Sequence, residues 1–150
     1  MAEMSQAYLV AMTATGAFLL AGLVTGTWKY LAIRGSEEAR APAYVDIAHR
    51  AALMYSFATL ILAEFTKLTG FSDATNVFLV SVQIFFFASA ILLYVVHGLL
   101  DDTDNQLRIP HVMGRMTIPP IVMTALLGVL IVGELGGFGA MFAGFIMHNF

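Results

Sequence analysis

The sequence predicts an all-α integral membrane protein, a four-helix bundle whose N and C termini lie on the same, outer face. Of its 150 residues, 59% are hydrophobic and only 11% are charged, whereas about 25% of the residues of a soluble domain are charged. The mean hydropathy is +0.84. Four apolar runs reach the roughly 20 residues that a helix needs to cross the hydrocarbon core of a bilayer.

The predicted spans cover residues 6–28, 46–68, 75–99 and 112–134 of a single transmembrane domain that extends over residues 1–150. They are predicted as helices because lipid offers no hydrogen-bond partner to an open backbone. The last apolar segment, residues 138–150, is too short to span alone, so it either prolongs the fourth helix or lies in the interface. Pro119 and Pro120 fall just inside the fourth span, where missing amide donors cost least, although a kink there is an alternative.

The basic residues predict the orientation. Loops 29–45 and 99–115 and the adjoining helix ends carry six of them, and the opposite face carries only Lys67. The six are Lys29, Arg34, Arg40, Arg50, Arg108 and Arg115. By the positive-inside rule, both loops are cytoplasmic and both termini are outside. The N-terminal residues lack the positive leader of a signal peptide, so we expect the first run to be retained in a bacterial inner membrane.

Composition excludes several functions. The chain has no cysteine, which excludes disulfides, iron–sulfur clusters and a cysteine nucleophile. Its few basic residues form no cluster of the size that nucleic-acid binding needs. The expected partners are therefore the lipid bilayer and a small apolar molecule.

Two pairs of small residues, Gly22 with Gly26 and Ala140 with Gly144, have the spacing that lets helices pack closely in lipid. They serve either packing inside one bundle or the seam of a homo-oligomer. Since four helices alone enclose little space for a ligand, we predict a homo-oligomer, with a trimer as one form.

Ionisable residues gather at the cytoplasmic ends of the second, third and fourth spans, where polar groups are default candidates for function. They are His49, His97, Asp101, Asp104 and His111. Tyr94, His97, Asp101 and Asp104 step by three, four and three, which places them on one face if the third helix continues to Asp104. We expect His49 to open the second helix and His111 to open the fourth.

Two chemistries suit this layer. Histidine is a usual axial ligand of haem, and Arg50, Arg108 and Arg115 could pair with its propionates. Alternatively, a divalent metal could be bound by histidines and carboxylates, here His97, Asp101, Asp104 and His111. The alternative without a cofactor or metal is a set of interfacial histidines beside a solvated turn at residues 101–105.

Two further acidic residues, Glu64 and Glu134, are expected near the outer face, within reach of each other and of Lys67. They are interpreted as interfacial carboxylates, with a proton entry or second polar site as the alternative.

Three short motifs resemble the styrene oxide isomerase family and, more distantly, the hydroxylaminobenzene mutases. They are Ala48-His49, Gly70-Phe71-Ser72-Asp73 and Tyr94, within residues of about 40 to 100. The resemblance implies a small four-helix membrane enzyme that binds haem b and rearranges an epoxide to an aldehyde, with ferric iron as Lewis acid. It implies His49 as the axial ligand and Tyr94 as a catalytic residue beside the haem. The family has an asparagine where this chain has Tyr55, so Tyr55 stands at a catalytic position with a different side chain.

A weaker resemblance is to small membrane proteins of haem–copper oxidase assembly. It rests on His49-Arg50 and on Arg115-Met-Thr-Ile-Pro119 after His111. It implies a non-enzymatic subunit or assembly factor of a respiratory complex, with a bis-histidine site or no cofactor. Three hypotheses follow: a haem-dependent isomerase of a small apolar substrate, which we favour, this partner protein, and a divalent-metal-dependent membrane enzyme.

Overall fold

The computed structural model describes residues 4–150 and consists of four long helices and one small hairpin. The elements are α1 (Gln6–Gly35), α2 (Ala43–Phe65), α3 (Asp73–Leu100), β1 (His111–Met113), β2 (Met116–Ile118) and α4 (Pro120–Asn149). All four helices are long and apolar enough to cross a membrane. The predicted all-α four-helix membrane bundle is therefore confirmed.

Side-chain caps fix where α1 and α3 begin. The Ser5 hydroxyl accepts a hydrogen bond from the Tyr8 N–H, and the Ser72 hydroxyl accepts one from the Thr75 N–H. These bonds satisfy amide donors that the first turn of a helix leaves free. The Asp73 carboxylate also accepts the N–H of Ala7 at 3.0 Å, so α1 and α3 begin at the same end of the bundle.

The start of α1 and the end of α4 lie at this end, which we call the terminal end. The amide group of Asn149, the last residue of α4, donates to the Leu68 carbonyl in the α2–α3 turn at 2.8 Å. The opposite end, called the loop end, holds the α1–α2 connection and residues 101–119, which we call the inner loop. Which end faces the cytoplasm stays a prediction from charge.

Glycines allow α1 to pack closely against α2. A Cβ added to Gly22 would lie 2.5 Å from Cδ2 of Leu53, and one added to Gly26 would lie 2.7 Å from Cε1 of His49. The space that a Cβ on Gly144 would occupy is likewise filled by the Phe71 ring of the same chain. The small-residue pairs therefore serve packing inside the bundle, and the homo-oligomer stays a prediction that needs another surface.

The fourth helix begins later than predicted. Residues 112–118, predicted as helical, belong instead to an antiparallel hairpin in which His111 pairs with Ile118. Pro119 and Pro120 lack the amide protons that a helix interior needs, so the helix can begin only there, with Pro120 in its first turn. It then continues without a break to Asn149, so segment 138–150 prolongs the fourth helix.

The third helix ends before Asp104, although the predicted common face of Tyr94, His97, Asp101 and Asp104 requires it to continue that far. α3 stops at Leu100, and Asp101 adopts the left-handed conformation with φ of 47° as its C-cap. The chain turns away at that residue. Asp101 and Asp104 therefore do not continue the face that carries Tyr94 and His97, and that prediction is wrong.

Candidate functional site

An open cleft of about 240 Å³ lies between α2 and α3. Five of its six lining residues come from one face of α2, and the sixth comes from α3. They are Ile47, Arg50, Ala51, Met54, Tyr55 and Tyr94. The wall is apolar except for one guanidinium and two phenol hydroxyls, which is the usual composition of a small-molecule site.

The two tyrosines are held by aromatic neighbours. The Tyr55 ring stacks on Phe87 of α3 with centroids 4.3 Å apart, and the Tyr94 ring lies 5.9 Å from that of Tyr44. Both tyrosines are half-buried. Within residues 4–150 neither hydroxyl has a hydrogen-bond partner, although Tyr44 has one. The rings are thus fixed while their hydroxyls are left for a ligand.

Arg50 occupies the loop end of the cleft. Its guanidinium lies 2.8 Å from Asp46, and the same carboxylate lies 2.5 Å from Nζ of Lys29. Two cations share one anion, so this end of the cleft is positive. Arg50 therefore lines the cleft, and its pairing with haem propionates stays a prediction. Arg115 instead lies exposed in the hairpin turn and does not line the cleft.

His49 lies inside α2 rather than at its start, because that helix begins at Ala43. Its Nδ1 is 2.8 Å from the Gly22 carbonyl of α1. A carbonyl only accepts, so Nδ1 carries the proton and Nε2 keeps its lone pair. This is how proteins orient a histidine that ligates a metal through Nε2. This hydrogen bond is compatible with His49 as a haem ligand, which stays a prediction.

His49 is not, however, part of the cleft wall. Its ring contacts α1 across Gly22 and Gly26, while the cleft is lined from a different face of α2. The resemblance implied that His49 and Tyr94 act at one site. Within one chain the structure does not bring them together.

His97 pairs with Asp102, a residue of the predicted turn at residues 101–105. The His97 Nδ1 and an Asp102 oxygen are 2.8 Å apart, and the two side chains are only 1% and 6% exposed. Asp102 also accepts a hydrogen bond from the Gly114 N–H. Burial alone would raise the pKa of the Asp102 carboxyl, but these hydrogen bonds outweigh it and hold the pKa below its ordinary value.

One further contact fastens the inner loop to a helix, and two others pack beside it. The Tyr44 hydroxyl accepts the Gln106 N–H at 2.6 Å, and the Tyr44 ring lies 4.9 Å from that of His97. The ring of His111 lies 3.1 Å, through Nδ1, from the Gln106 carbonyl. The two buried histidines of this end are therefore used in holding the loop.

The ligand set predicted for a divalent metal is not assembled. Asp104 is exposed and pairs with Arg108 at 3.0 Å, and Asp101 caps α3. Among residues 4–150, no three His, Asp or Glu side chains come close enough to share a metal ion. His97, Asp101, Asp104 and His111 thus lie in one region without converging.

The two carboxylates expected near the outer face have separate environments. Glu64 pairs with Lys67 at 2.7 Å at the terminal end, and this contact raises the pKa of Lys67. Glu134 instead lies at the middle of α4, because that helix runs from Pro120 to Asn149. Its Oε1 is buried without a hydrogen-bond partner in the described chain. The predicted position of Glu134 is wrong because the fourth span was placed too early.

Together these features define a multi-pass four-helix membrane protein with a tyrosine-lined cleft between two helices. No family model, no curated protein and no solved structure matches the chain significantly.

Proposed function

We propose that this protein is a membrane-embedded isomerase that binds haem and acts on a small apolar substrate such as an epoxide. The observation that carries the proposal is the cleft between α2 and α3, where Tyr55 and Tyr94 present unpartnered hydroxyls in an apolar wall. This arrangement lets a molecule enter from lipid and meet hydrogen-bond donors.

The size of the cleft supports a small substrate. Sites for drug-sized ligands usually have about 300–1,000 Å³ of space, and this open cleft has about 240 Å³. An epoxide bearing one aromatic ring is of suitable size, and its single oxygen needs only one or two donors. A lipid acyl chain has no oxygen that could use both hydroxyls at this depth.

The tyrosines supply the polar chemistry of this chain. We assign to Tyr94 a hydrogen bond to the substrate oxygen, which stabilises the negative charge that develops there as a C–O bond breaks. Tyr55 approaches the same space from α2 and orients the substrate from the other wall. Bound ferric haem would supply a Lewis acid for the same oxygen.

His49 is the residue proposed to ligate the haem iron, since its Nδ1 is hydrogen-bonded to the Gly22 carbonyl, which leaves Nε2 as the nitrogen for ligation. Because His49 does not line the cleft of its own chain, a shared site requires a second copy to bring the two faces together. The proposal therefore includes a homo-oligomer, and the positive charge of Arg50 and Lys29 suits haem propionates.

Turnover of an aryl epoxide such as styrene oxide, followed as aldehyde formation in detergent or vesicles, tests the proposal. We expect Tyr94→Phe to lower kcat by about 100-fold, because one general-acid contact contributes on that order. Tyr55→Phe should lower it by about 10-fold with a larger effect on KM.

Tyr30→Phe is the matched control, because Tyr30 lies exposed near the end of α1 and does not line the cleft. It should retain full turnover. Equal turnover of Tyr94→Phe and Tyr30→Phe would contradict the role given to Tyr94, and a wild-type protein without epoxide turnover would contradict the proposed reaction.

A further inference from the structure

Glu134 is a carboxyl group at the centre of a membrane-spanning helix, and the proposed reaction does not use it. The helix α4 runs from Pro120 to Asn149, so Glu134 lies about as far from one helix end as from the other. Ionisable side chains at this depth are rare and mark functional sites by default. The Oε1 atom of Glu134 is buried and has no hydrogen-bond partner among residues 4–150.

Glu134 lies on the face of α4 that packs into the bundle. The buried residues that follow it in this helix lie three, seven and ten positions further on, and they are Gly137, Met141 and Gly144. Residues at this spacing share one face of a helix. The carboxyl group therefore belongs to the face that packs against the other helices, which agrees with the burial of its Oε1.

Two glycines on either side of Glu134 let α3 approach closely. A Cβ on Gly133 would collide with the Phe86 ring, and a Cβ on Gly137 would collide with the amide nitrogen of Gln83. The NH2 group of Gln83 donates to the carbonyls of Gly133 and Glu134 at 3.2 and 2.9 Å. These contacts fix the register of α3 and α4, so Glu134 is held at the contact between them.

The described chain provides no positive charge that would keep Glu134 ionised. Within residues 4–150, the ion pairs lie toward the two ends of the bundle, and none of them includes Glu134. An ionised carboxylate without a partner is costly at the centre of a bilayer, and a buried group in this position takes up a proton instead. We therefore expect Glu134 to be a neutral carboxylic acid.

The surroundings of Glu134 favour a proton over a metal cation as its ligand. A metal cation such as Ca²⁺ needs several oxygen ligands, whereas a proton needs one. The carbonyls of Gly133 and Glu134 each accept one hydrogen bond within α4 and a second from Gln83, which uses both lone pairs of each oxygen. Neither carbonyl is therefore left to coordinate a cation.

The buried face of α3 indicates the end of the bundle from which the proton arrives. Toward the terminal end this face carries Gln83, then Val80, and about two turns from Gln83 the amide of Asn76. The side chains of Asn76 and Gln83 are 3% and 2% exposed. Toward the loop end the next three buried residues are all apolar, namely Phe87, Ala90 and Ile91. Polar groups that can pass a proton thus lie on the terminal side of Glu134.

We propose that Glu134 is a proton-binding site in the middle of the membrane, and that it exchanges its proton with water at the terminal end. The carboxylate takes up one proton to form the neutral acid and releases the same proton, so the O–H bond is the only bond that forms and breaks. This function goes beyond the proposed epoxide reaction and does not rest on it, because Glu134 does not line the cleft between α2 and α3.

Infrared spectroscopy tests the protonation, because the C=O stretch of a neutral carboxyl group is separate from the bands of a carboxylate. The full chain is measured at neutral pH in a detergent that has no carbonyl group. We expect a neutral-carboxyl band that Glu134→Gln loses and that Glu64→Gln keeps, since Glu64 is paired with Lys67. A wild-type spectrum without the band, or an undiminished band in Glu134→Gln, overturns the inference. Loss of the band on addition of sodium chloride at constant pH would identify a metal cation as the ligand and also overturns it.

Transfer of the protein into D2O tests the exchange and its route. The Glu134 band should shift to the frequency of a deuterated carboxyl, and a band that does not shift overturns the exchange. Asn76→Leu should slow the shift several-fold, whereas a variant that only loosened the bundle would accelerate it. Ile91→Leu, on the loop side of the same face of α3, should leave the rate unchanged. Equal rates in Asn76→Leu and Ile91→Leu overturn the route from the terminal end.

Two adjacent glycines test the position of the carboxyl group. Gly137→Ala places a Cβ against the Gln83 amide, so α3 must move relative to Glu134 and the carboxyl band should change in frequency. Gly136→Ala is the matched control, because nothing lies within 4 Å of its added Cβ. Far-UV circular dichroism checks that both variants are folded. Identical bands in the two folded variants overturn the placement of Glu134 at the contact of α3 and α4.

Discussion

Buried polar side chains in this chain fall into two groups according to whether the protein itself satisfies them. His97 and Asp102 are buried together and satisfy each other, so they serve structure. In the part of the chain that the structure describes, Tyr55 and Tyr94 line the cleft without hydrogen-bond partners, and Oε1 of Glu134 is buried without one, so these groups are the candidates for chemistry. For assigning a function to a polar side chain, the presence or absence of a hydrogen-bond partner is therefore more informative than its burial.

Sequence reasoning found His49, Tyr55 and Tyr94 but missed Asp102 as the partner of His97. The helical step pattern favoured Asp101, four residues after His97. That choice failed because α3 ends at Leu100 and the left-handed turn at Asp101 moves Asp102 toward His97. A helix end set by one residue's conformation cannot be located from hydropathy.

The Asp102 carboxyl should make the inner loop sensitive to acid. Its pKa is lowered in the folded protein, so its stabilisation is present above the unfolded-state value of about 3.9 and is lost as pH falls through the folded value. We expect hydrogen-exchange protection factors within residues 101–119, which are corrected for the intrinsic exchange rate at each pH, to be constant from neutral pH to about pH 4 and to fall below it.

Asp102→Asn should weaken the loop at neutral pH by about 1–3 kcal/mol, since it removes the charge-assisted contact to His97. Asp104→Asn is the control, because its pair with Arg108 is more than 60% exposed and contributes less than about 1 kcal/mol. Equal protection of the loop in both variants would contradict the role of Asp102.

At the scale of elements, hydropathy predicted the number of helices and the approximate course of α1, α2 and α3. It failed at α4, because the apolar run from Val112 to Ile118 continues into the helix without a change in composition. Only the proline pair at residues 119 and 120 marks the boundary. Because of this error, Glu134 was predicted at the end of a helix, as an interfacial carboxylate, whereas it lies in the middle of α4.

The contact of α1 with α2 links helix packing to the proposed haem ligand. Gly26→Ala would place a Cβ 2.7 Å from Cε1 of His49, so the imidazole must move. We expect a loss of about 1–3 kcal/mol in unfolding free energy, measured by thermal denaturation in detergent, together with a shifted haem absorption band.

Gly16→Ala is the matched control on the same helix, since nothing lies within 4 Å of its added Cβ. It should leave stability unchanged or raise it by about 0.5–1 kcal/mol, because alanine favours the helix. If Gly16→Ala and Gly26→Ala have the same stability and the same haem absorption band, the packing of His49 against α1 does not orient its imidazole ring.

For the whole molecule, the basic residues predict which end of the helix bundle faces the cytoplasm, and the structure shows which residues lie at each end. α1 begins and α4 ends at the terminal end, and six of the seven basic residues lie toward the loop end. Which helix faces meet could not be predicted from sequence, because every span is apolar on most of its surface. For that reason the separation of His49 from the cleft was visible only in the structure.

We propose that His49 ligates haem, and an absorption spectrum of the detergent-purified protein is the decisive test. The wild type should show a Soret band that His49→Ala loses and His97→Ala keeps, since His97 is occupied by Asp102. A wild-type protein from haem-replete cells without this band, or an undiminished band in His49→Ala, would contradict the claim.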